Sequence, residues 1–157
     1  MIVCLNQYDS VPAEFPKYPN VDYVLAGPNK LIPDLGCNNK MAWLGKFPGY
    51  YITVDDDIIY PKDYCRTLVT HMKKFNNSVI CSYEGRTYSI KNGKPITMDI
   101  HKCKAFSFMK GYTGYNILHR GGGGVMCMYP AKLPFNYKNY TSMPKNSGDD
   151  EITSILC

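Results

Sequence analysis

The chain has 157 residues, of which 45% are apolar and 20% charged, and its formal net charge at pH 7 is +5. This length and composition are those of one folded domain with its own hydrophobic core, and they argue against intrinsic disorder. No apolar run approaches the roughly 18 residues that a membrane-spanning helix needs, and no leader of the secretory type begins the sequence, so we expect no transmembrane segment.

The seven cysteines are spread along the chain without a CxxC pair, and their number is odd. That pattern predicts neither a zinc knuckle nor a complete set of disulfides. Free thiols are typical of a reducing compartment, so we expect a cytoplasmic protein.

Short β-rich runs at residues 2–5 and 21–25, each followed by turn-forming residues, predict the first two strands. A loop follows, with a short helix expected from about Lys40. The apolar, β-branched run at residues 50–54 is typical of a central strand that is buried on both faces. The next helix should begin near Pro61 and bury a stripe at spacings of four, four and three, formed by Tyr64, Leu68, Met72 and Phe75.

In the second half, residues 78–82 predict another strand, and the Asn-Gly turn at 92–93 between two β-rich runs predicts a hairpin. Residues 125–129 predict a strand, and the acidic turn at Asp149 predicts the start of a last helix. Strands that alternate with helices in the first half and cluster in the second indicate the α/β class, with a mixed sheet between helices. We find no repeat or linker and expect a single domain over residues 1–157.

Three consecutive aspartates, Asp55, Asp56 and Asp57, end the strand predicted at residues 50–54. Like charges this close repel one another unless a cation neutralises them, and a divalent metal is the simplest neutraliser. Open α/β sheets bind ligands outside the carboxyl ends of their strands, and Mg²⁺ or Mn²⁺ beside a diphosphate prefers oxygen ligands of this kind. The run therefore predicts a metal and nucleotide site, with an acidic surface turn as the alternative.

No acidic residue lies between residues 101 and 147, whereas seven basic residues do. The segment should carry positive potential and favour ligands that bear phosphate or other negative groups. A solvated basic face is the alternative. The basic residues are Lys102, Lys104, Lys110, Arg120, Lys132, Lys138 and Lys145.

Residues 51–61, YITVDDDIIYP, resemble the DxD signature of GT-A glycosyltransferases, particularly the family-2-like enzymes of bacteria and large DNA viruses. The resemblance implies an α/β sandwich of the GT-A (nucleotide-diphospho-sugar transferase) fold, in which helices flank a mixed, mostly parallel central sheet. It also implies that Asp57 binds the metal directly and that Asp55 contacts the ribose and supplies a second metal ligand. Asp56 would lie on the nucleotide side.

Residues 34–40 resemble the segment that this family places near the nucleotide, and the implied contacts are Gly36, Asn38 and Lys40. A lysine that opens a helix beside a phosphate binds it through its charge and through free backbone N–H groups. An ordinary surface lysine is the alternative.

The four glycines at residues 121–124 resemble the stretch that the family places against the donor sugar, with Gly122 and Gly123 as implied contacts. Glycine lets a backbone approach a ligand closely, although a flexible turn would have the same sequence. Further along, residues 147–151, SGDDE, resemble the motif that supplies the general base in inverting members of the family. Asp150 fits the base best and Asp149 second, with a simple helix cap as the alternative.

The resemblance also bears on the ends of the chain. Members of the family usually begin with a further strand and a loop that contacts the base, and they usually continue beyond the acidic helix. We therefore expect the family's first strand to be missing here and the chain to be a fragment of a longer enzyme.

Together the residues and the resemblance predict metal-dependent transfer of a sugar from a nucleoside diphosphate donor, expected to be a UDP-sugar, to a hydroxyl of a glycan or glycoprotein. Asp150 as base implies inversion, and no nucleic acid partner is expected. A metal-dependent phosphoryl-transfer enzyme or nuclease that uses residues 55–57 is the alternative. A non-catalytic nucleic-acid binder, suggested by basic residues among tyrosines, is a third reading, which leaves the aspartates unexplained.

Overall fold

A computed structural model gives the fold of residues 1–92, 94–95, 104–107, 120–122 and 124–133. Gly123, Asp149 and Asp150 lie outside these described residues, and so does the helix predicted from Asp149. Most of residues 101–147, the segment without acidic side chains, lies outside them as well. What the sequence predicts for these parts stays a prediction.

The described part contains ten short strands, one α-helix and two 3-10 helices. In chain order the strands are β1 (Ile2–Asn6), β2 (Asp22–Ala26), β3 (Tyr51–Ile52), β4 (Cys81–Ser82), β5 (Glu84–Thr87), β6 (Ile90–Lys91), β7 (Lys94–Pro95), β8 (Lys104–Ser107), β9 (Arg120–Gly121) and β10 (Met126–Met128). Helix α1 spans Tyr64–Lys74, and the 3-10 helices span Gly36–Met41 and Pro130–Lys132.

The chain begins with a parallel strand pair. β1 and β2 pair along their whole length, with Asn6 opposite Ala26 at their carboxyl ends, which confirms the first two predicted strands. Ala26 also forms a parallel bridge to Ile32, and both are buried with Ala42 in one apolar cluster. This cluster ties β2 to the segment that contains the first 3-10 helix.

β10 is the centre of a second sheet, which has the order β3, β10, β4 and antiparallel pairing on both sides. All three residues of β10 are buried, whereas β3 is half-buried. The prediction of a central strand at residues 50–54 is therefore wrong for the described part, where the strand is shorter and lies at the edge of its sheet. The fully buried Met-Cys-Met run of β10 occupies the centre instead.

Helix α1 covers this second sheet, as the spacing of its apolar residues predicts. Its buried face packs with Cys127 of β10 into one cluster and consists of Tyr64, Leu68 and Met72. The N–H of Tyr64 donates to the Pro61 carbonyl at 3.0 Å, so the proline lies just before the helix instead of in its first turn. Phe75 is the C-cap residue and is 41% exposed, so the buried stripe ends one turn earlier than predicted.

The helix predicted from about Lys40 is wrong in position and type. A 3-10 helix occupies Gly36–Met41, so Lys40 lies in its last turn and does not open a helix. The Asp34 carboxylate accepts a 2.9 Å hydrogen bond from the N–H of Gly36, and the φ of Gly36 is +64°. An aspartate side chain that accepts from the backbone N–H two residues on, together with a glycine in the left-handed region, starts the turn four residues earlier than expected.

The remaining strands form two antiparallel groups. β5 lies between β8 and β9, and β6 pairs with β7 in a hairpin whose turn contains Asn92 at a φ of 52°. The predicted hairpin is thus confirmed. Of the strand pairs in the described part only β1 and β2 are parallel, so the mostly parallel sheet stays a prediction. Within the same residues, no helix is long and apolar enough to cross a membrane.

Burial predicts which thiols react. The Cys127 side chain is 0% exposed, and burial raises the pKa of its thiol from 9.0 to about 12. Cys37 and Cys65 are exposed. Because a thiol reacts as its thiolate, iodoacetamide at about pH 8.5 should label Cys37 and Cys65 in the native protein and leave Cys127 unlabelled.

Peptide mass mapping measures this labelling, and denatured protein, in which every cysteine should react, is the control. Raising the pH above about 9 should also lower the free energy of unfolding, since unfolded Cys127 ionises there while the folded form keeps its proton. Native labelling of Cys127 as fast as that of Cys65 would contradict the burial.

Candidate functional site

The ladder between β3 and β10 ends at Thr53. Its N–H donates to the Met126 carbonyl at 3.0 Å, and its Oγ1 accepts from the Met126 N–H at 3.3 Å. The hydroxyl of Tyr64 in α1 donates to the Thr53 carbonyl at 3.1 Å. These bonds fix the point at which the strands separate, so that Asp55 lies beside Gly124, which precedes β10.

Asp55 is held by an ion pair. Its carboxylate contacts the ammonium group of Lys40, which comes from the last turn of the first 3-10 helix. The side chains of Lys40 and Asp55 keep 27% and 28% of their surface exposed. At this exposure such a pair contributes about 1 kcal/mol or less to stability. Its main consequence is electrostatic, because it places a fixed positive charge at the aspartate run.

Lys40 reaches Asp55 because the backbone of its 3-10 helix is anchored on both sides. The Asn6 side chain donates to the Gly36 carbonyl at 3.0 Å and accepts from the side-chain amide of Asn39. The hydroxyl of Tyr51 donates to the Lys40 carbonyl at 2.6 Å. Burial raises the pKa of the Tyr51 phenol, which therefore remains a donor. β1 and β3 thus jointly position Lys40.

Tyr60 joins the aspartate loop to the glycine run. Its hydroxyl oxygen accepts a hydrogen bond from the Asp55 N–H at 2.7 Å, and its hydroxyl donates to the Gly124 carbonyl at 2.6 Å. Burial raises the pKa of the Tyr60 phenol; the bond from the Asp55 N–H and the charge of Lys40 oppose this rise in part, while the Asp55 carboxylate adds to it. The hydroxyl is therefore protonated at neutral pH, as its bond to Gly124 requires.

Gly124 lies directly against Asp55. A Cβ atom placed on Gly124 would overlap the Asp55 carboxylate, so the close approach requires glycine. Gly122 faces a different acid, since a Cβ there would lie 2.6 Å from Cγ of Glu84, and its N–H donates to the Glu84 carbonyl at 2.9 Å. Of the two glycines implied to contact the donor sugar, Gly122 therefore lies against β5, and Gly123 is outside the described residues.

The three aspartates differ in exposure. Asp55 is half-buried, whereas Asp56 and Asp57 are exposed. Where side chains are described, no three of His, Cys, Asp or Glu come together in a group able to hold a metal. A metal at Asp57 and Asp55 would thus complete its shell with ligand and water oxygens, as Mg²⁺ commonly does. The metal assignment stays a prediction.

The structure brings together some of the predicted residues and not others. Lys40 and Asp55 are in contact, and Gly36 and Asn38 lie in the same 3-10 helix as Lys40. Asn38 is 0% exposed, which leaves its side chain no surface for a nucleotide in this structure. Its direct contact with the nucleotide stays a prediction. The roles assigned to Asp149 and Asp150 fall outside the described residues.

Three residues of this site were not predicted from the sequence. Asn6 ends β1 and anchors the 3-10 helix, Tyr60 bridges two loops, and Gly124 contacts Asp55. A polar residue at the carboxyl end of a strand was an available signal for Asn6. Residues 121–124 and 51–61 are part of the quoted motifs, but the sequence does not indicate the specific contacts of Tyr60 and Gly124 with each other, because these two residues are 64 positions apart.

No protein-family model matches the chain, and a comparison with curated proteins gives no match. The resemblance to GT-A enzymes therefore depends on the quoted motifs alone. The geometry adds one independent observation, which is that residues from three separate stretches, Lys40, Asp55 and Gly124, meet at one place.

The contact between Gly124 and Asp55 can be tested by substitution. Gly124→Ala should lower the free energy of unfolding by about 1–3 kcal/mol, because the new methyl group overlaps a carboxylate that is already paired. Gly121→Ala is the matched control, since its Cβ would meet the flexible Met126 side chain at 3.1 Å. Its loss should stay below about 1 kcal/mol. Urea denaturation measures both.

Removing the carboxylate should relieve the overlap. The double variant Asp55→Ala/Gly124→Ala should therefore lose less stability than the sum of its two single variants. Additive losses, or equal losses for Gly124→Ala and Gly121→Ala, would contradict the close approach.

Proposed function

We propose that this protein is a metal-dependent glycosyltransferase that moves a sugar from a nucleoside diphosphate donor, a UDP-sugar, to a hydroxyl of a glycan or glycoprotein. The observation that carries the proposal is the meeting of Lys40, Asp55 and Gly124 after β3. The sequence motifs tie all three stretches to one nucleotide-sugar site, and a surface turn of acidic residues gives no reason for them to converge.

The charge at the aspartate loop supports a divalent cation beside an anionic ligand. Three carboxylates carry three negative charges, and Lys40 supplies one positive charge to Asp55, which leaves two negative charges in formal terms. Asp56 and Asp57 are exposed, so a cation can reach both carboxylates from solvent. One Mn²⁺ or Mg²⁺ would balance the two negative charges that remain on the loop, and ligands beyond the aspartates would come from the diphosphate and water.

In the proposed reaction Asp57 and Asp55 would hold the metal, which when bound would neutralise charge on the leaving diphosphate. Lys40 adds a positive charge at the same place, since its ammonium group is already fixed there by the ion pair with Asp55. Gly124 lets the backbone lie close to the carboxylate and keeps side-chain atoms out of this part of the site.

The proposed role of Asp150 is to take the proton from the acceptor hydroxyl. The acceptor oxygen then forms a bond to the anomeric carbon as the bond from that carbon to the diphosphate oxygen breaks, and the nucleoside diphosphate leaves with the electron pair. Attack from the side opposite the leaving group inverts the configuration. Asp149 is the second candidate for this base.

Calorimetric titration with UDP and a panel of UDP-sugars, in Mn²⁺ and then in EDTA, tests the proposal. We expect binding that requires the metal, and we expect one UDP-sugar to be hydrolysed or transferred when an acceptor is supplied. Binding that is unchanged by EDTA, or the absence of any binding, would reject it. Turnover of a phosphodiester or nucleic acid in place of a UDP-sugar would favour the phosphoryl-transfer alternative.

Substitution separates the metal site from the base. Losing a residue that only supports a metal ligand typically lowers metal affinity by about 10–100-fold. Asp57 is proposed to bind the metal directly, so Asp57→Asn should weaken metal-dependent UDP binding by more than this. Asp150→Asn should leave that binding intact and slow sugar transfer by about 10²–10⁴-fold, because it removes a general base. Asp63→Asn, at the N-cap of α1, is the matched control and should change neither quantity. Normal transfer by Asp150→Asn would refute the base assignment.

A further inference from the structure

The Tyr60 hydroxyl connects two segments that no strand ladder joins directly. Asp55 donates its N–H to the hydroxyl oxygen, and the hydroxyl proton goes to the Gly124 carbonyl. The two bonds are 2.7 Å and 2.6 Å long, so one oxygen fixes both backbones at once. Both partners border the Asp55 carboxylate, one as its own backbone and the other as the glycine packed against it.

The ring that carries this hydroxyl is held in place independently of the bridge. Tyr60 packs against Tyr64, with ring centroids 4.5 Å apart and an interplanar angle of 53°, and it borders the buried cluster beneath α1. Tyr64 in turn bonds the Thr53 carbonyl at the end of the ladder. Replacing only the hydroxyl should therefore leave the ring and the helix where they are.

We propose that Tyr60 is a positioning residue, whose hydroxyl fixes the Asp55 backbone against Gly124 and so keeps the Asp55 carboxylate on Lys40. The same restraint on the Asp55 backbone sets the direction in which the chain continues to Asp56 and Asp57. For its effect on ligand binding the inference rests on the proposed function, whereas the restraint on Asp55 is measurable without any ligand.

One feature distinguishes this role from general stabilisation of the fold, and a second tyrosine provides a control. Both hydrogen bonds end on backbone atoms beside one carboxylate, so their loss acts first at Asp55. Tyr50, which donates to the Asn77 side chain at 3.1 Å, makes a half-buried tyrosine hydrogen bond at the other end of β3. Tyr50→Phe therefore removes a comparable hydroxyl without touching the aspartate loop.

The first experiment compares amide hydrogen exchange in Tyr60→Phe, Tyr50→Phe and the unsubstituted protein, by NMR without metal or nucleotide. In Tyr60→Phe the Asp55 amide should exchange about three- to tenfold faster, the change expected when one hydrogen bond is lost. Amides of β1 and β2 should be unchanged, and Tyr50→Phe should leave the Asp55 amide as it was.

The second experiment measures UDP affinity in Mn²⁺ for the same three proteins. We expect Tyr60→Phe to bind about tenfold more weakly, as when an outer partner of a metal site is removed, with a melting temperature close to that of Tyr50→Phe. Unchanged exchange at Asp55, or faster exchange with undiminished UDP affinity, would overturn the inference. If the unsubstituted protein binds no UDP, the proposed function fails, and the exchange of the Asp55 amide alone then decides whether Tyr60 positions this residue.

Discussion

Thr53 and Met126 exchange two hydrogen bonds, and the rest of the site follows from the register that they set. Because the ladder stops there, the chain after β3 and the chain before β10 leave the sheet side by side. Asp55 and Gly124 then come close enough that one of them must lack a side chain. A shift of one residue in this register would remove Gly124 from its place beside the carboxylate and break the pairing of Thr53 with Met126.

Three tyrosines give the short strands a support that backbone pairing alone does not provide. Tyr51, Tyr60 and Tyr64 each place their ring at the apolar clusters and donate their hydroxyl to a backbone carbonyl. Burial raises the pKa of all three phenols, so these groups stay donors at neutral pH. Tyrosine suits this use because it combines a large apolar body with a polar tip. The carbonyls belong to Lys40, Gly124 and Thr53, which border the candidate site.

Sequence reasoning succeeded where the signal was local. The apolar spacing of α1, the β-rich runs of β1 and β2 and the Asn-Gly turn each lie within a few residues, and the structure agrees with them. It failed where the answer depends on distant partners. Residues 50–54 alone do not show that Met126–Met128 forms the central strand of the sheet. Strand order depends on how segments far apart in the sequence pair with one another. Lys40 lies at the end of its helix and not at the start, because the turn begins at Gly36, whose N–H donates to the Asp34 carboxylate.

The candidate site shows the same division. The aspartate run and Lys40 were recognised from residue type and position, but four identical glycines give no clue to which of them meets Asp55. Tyr60 lies 64 residues from its partner Gly124. Because this contact joins residues so far apart in sequence, the site cannot assemble until β10 has been synthesised. On the ribosome, the aspartate loop therefore emerges well before the strand that gives it a defined shape, and a chain interrupted before residue 124 has the acidic loop but lacks its supporting backbone.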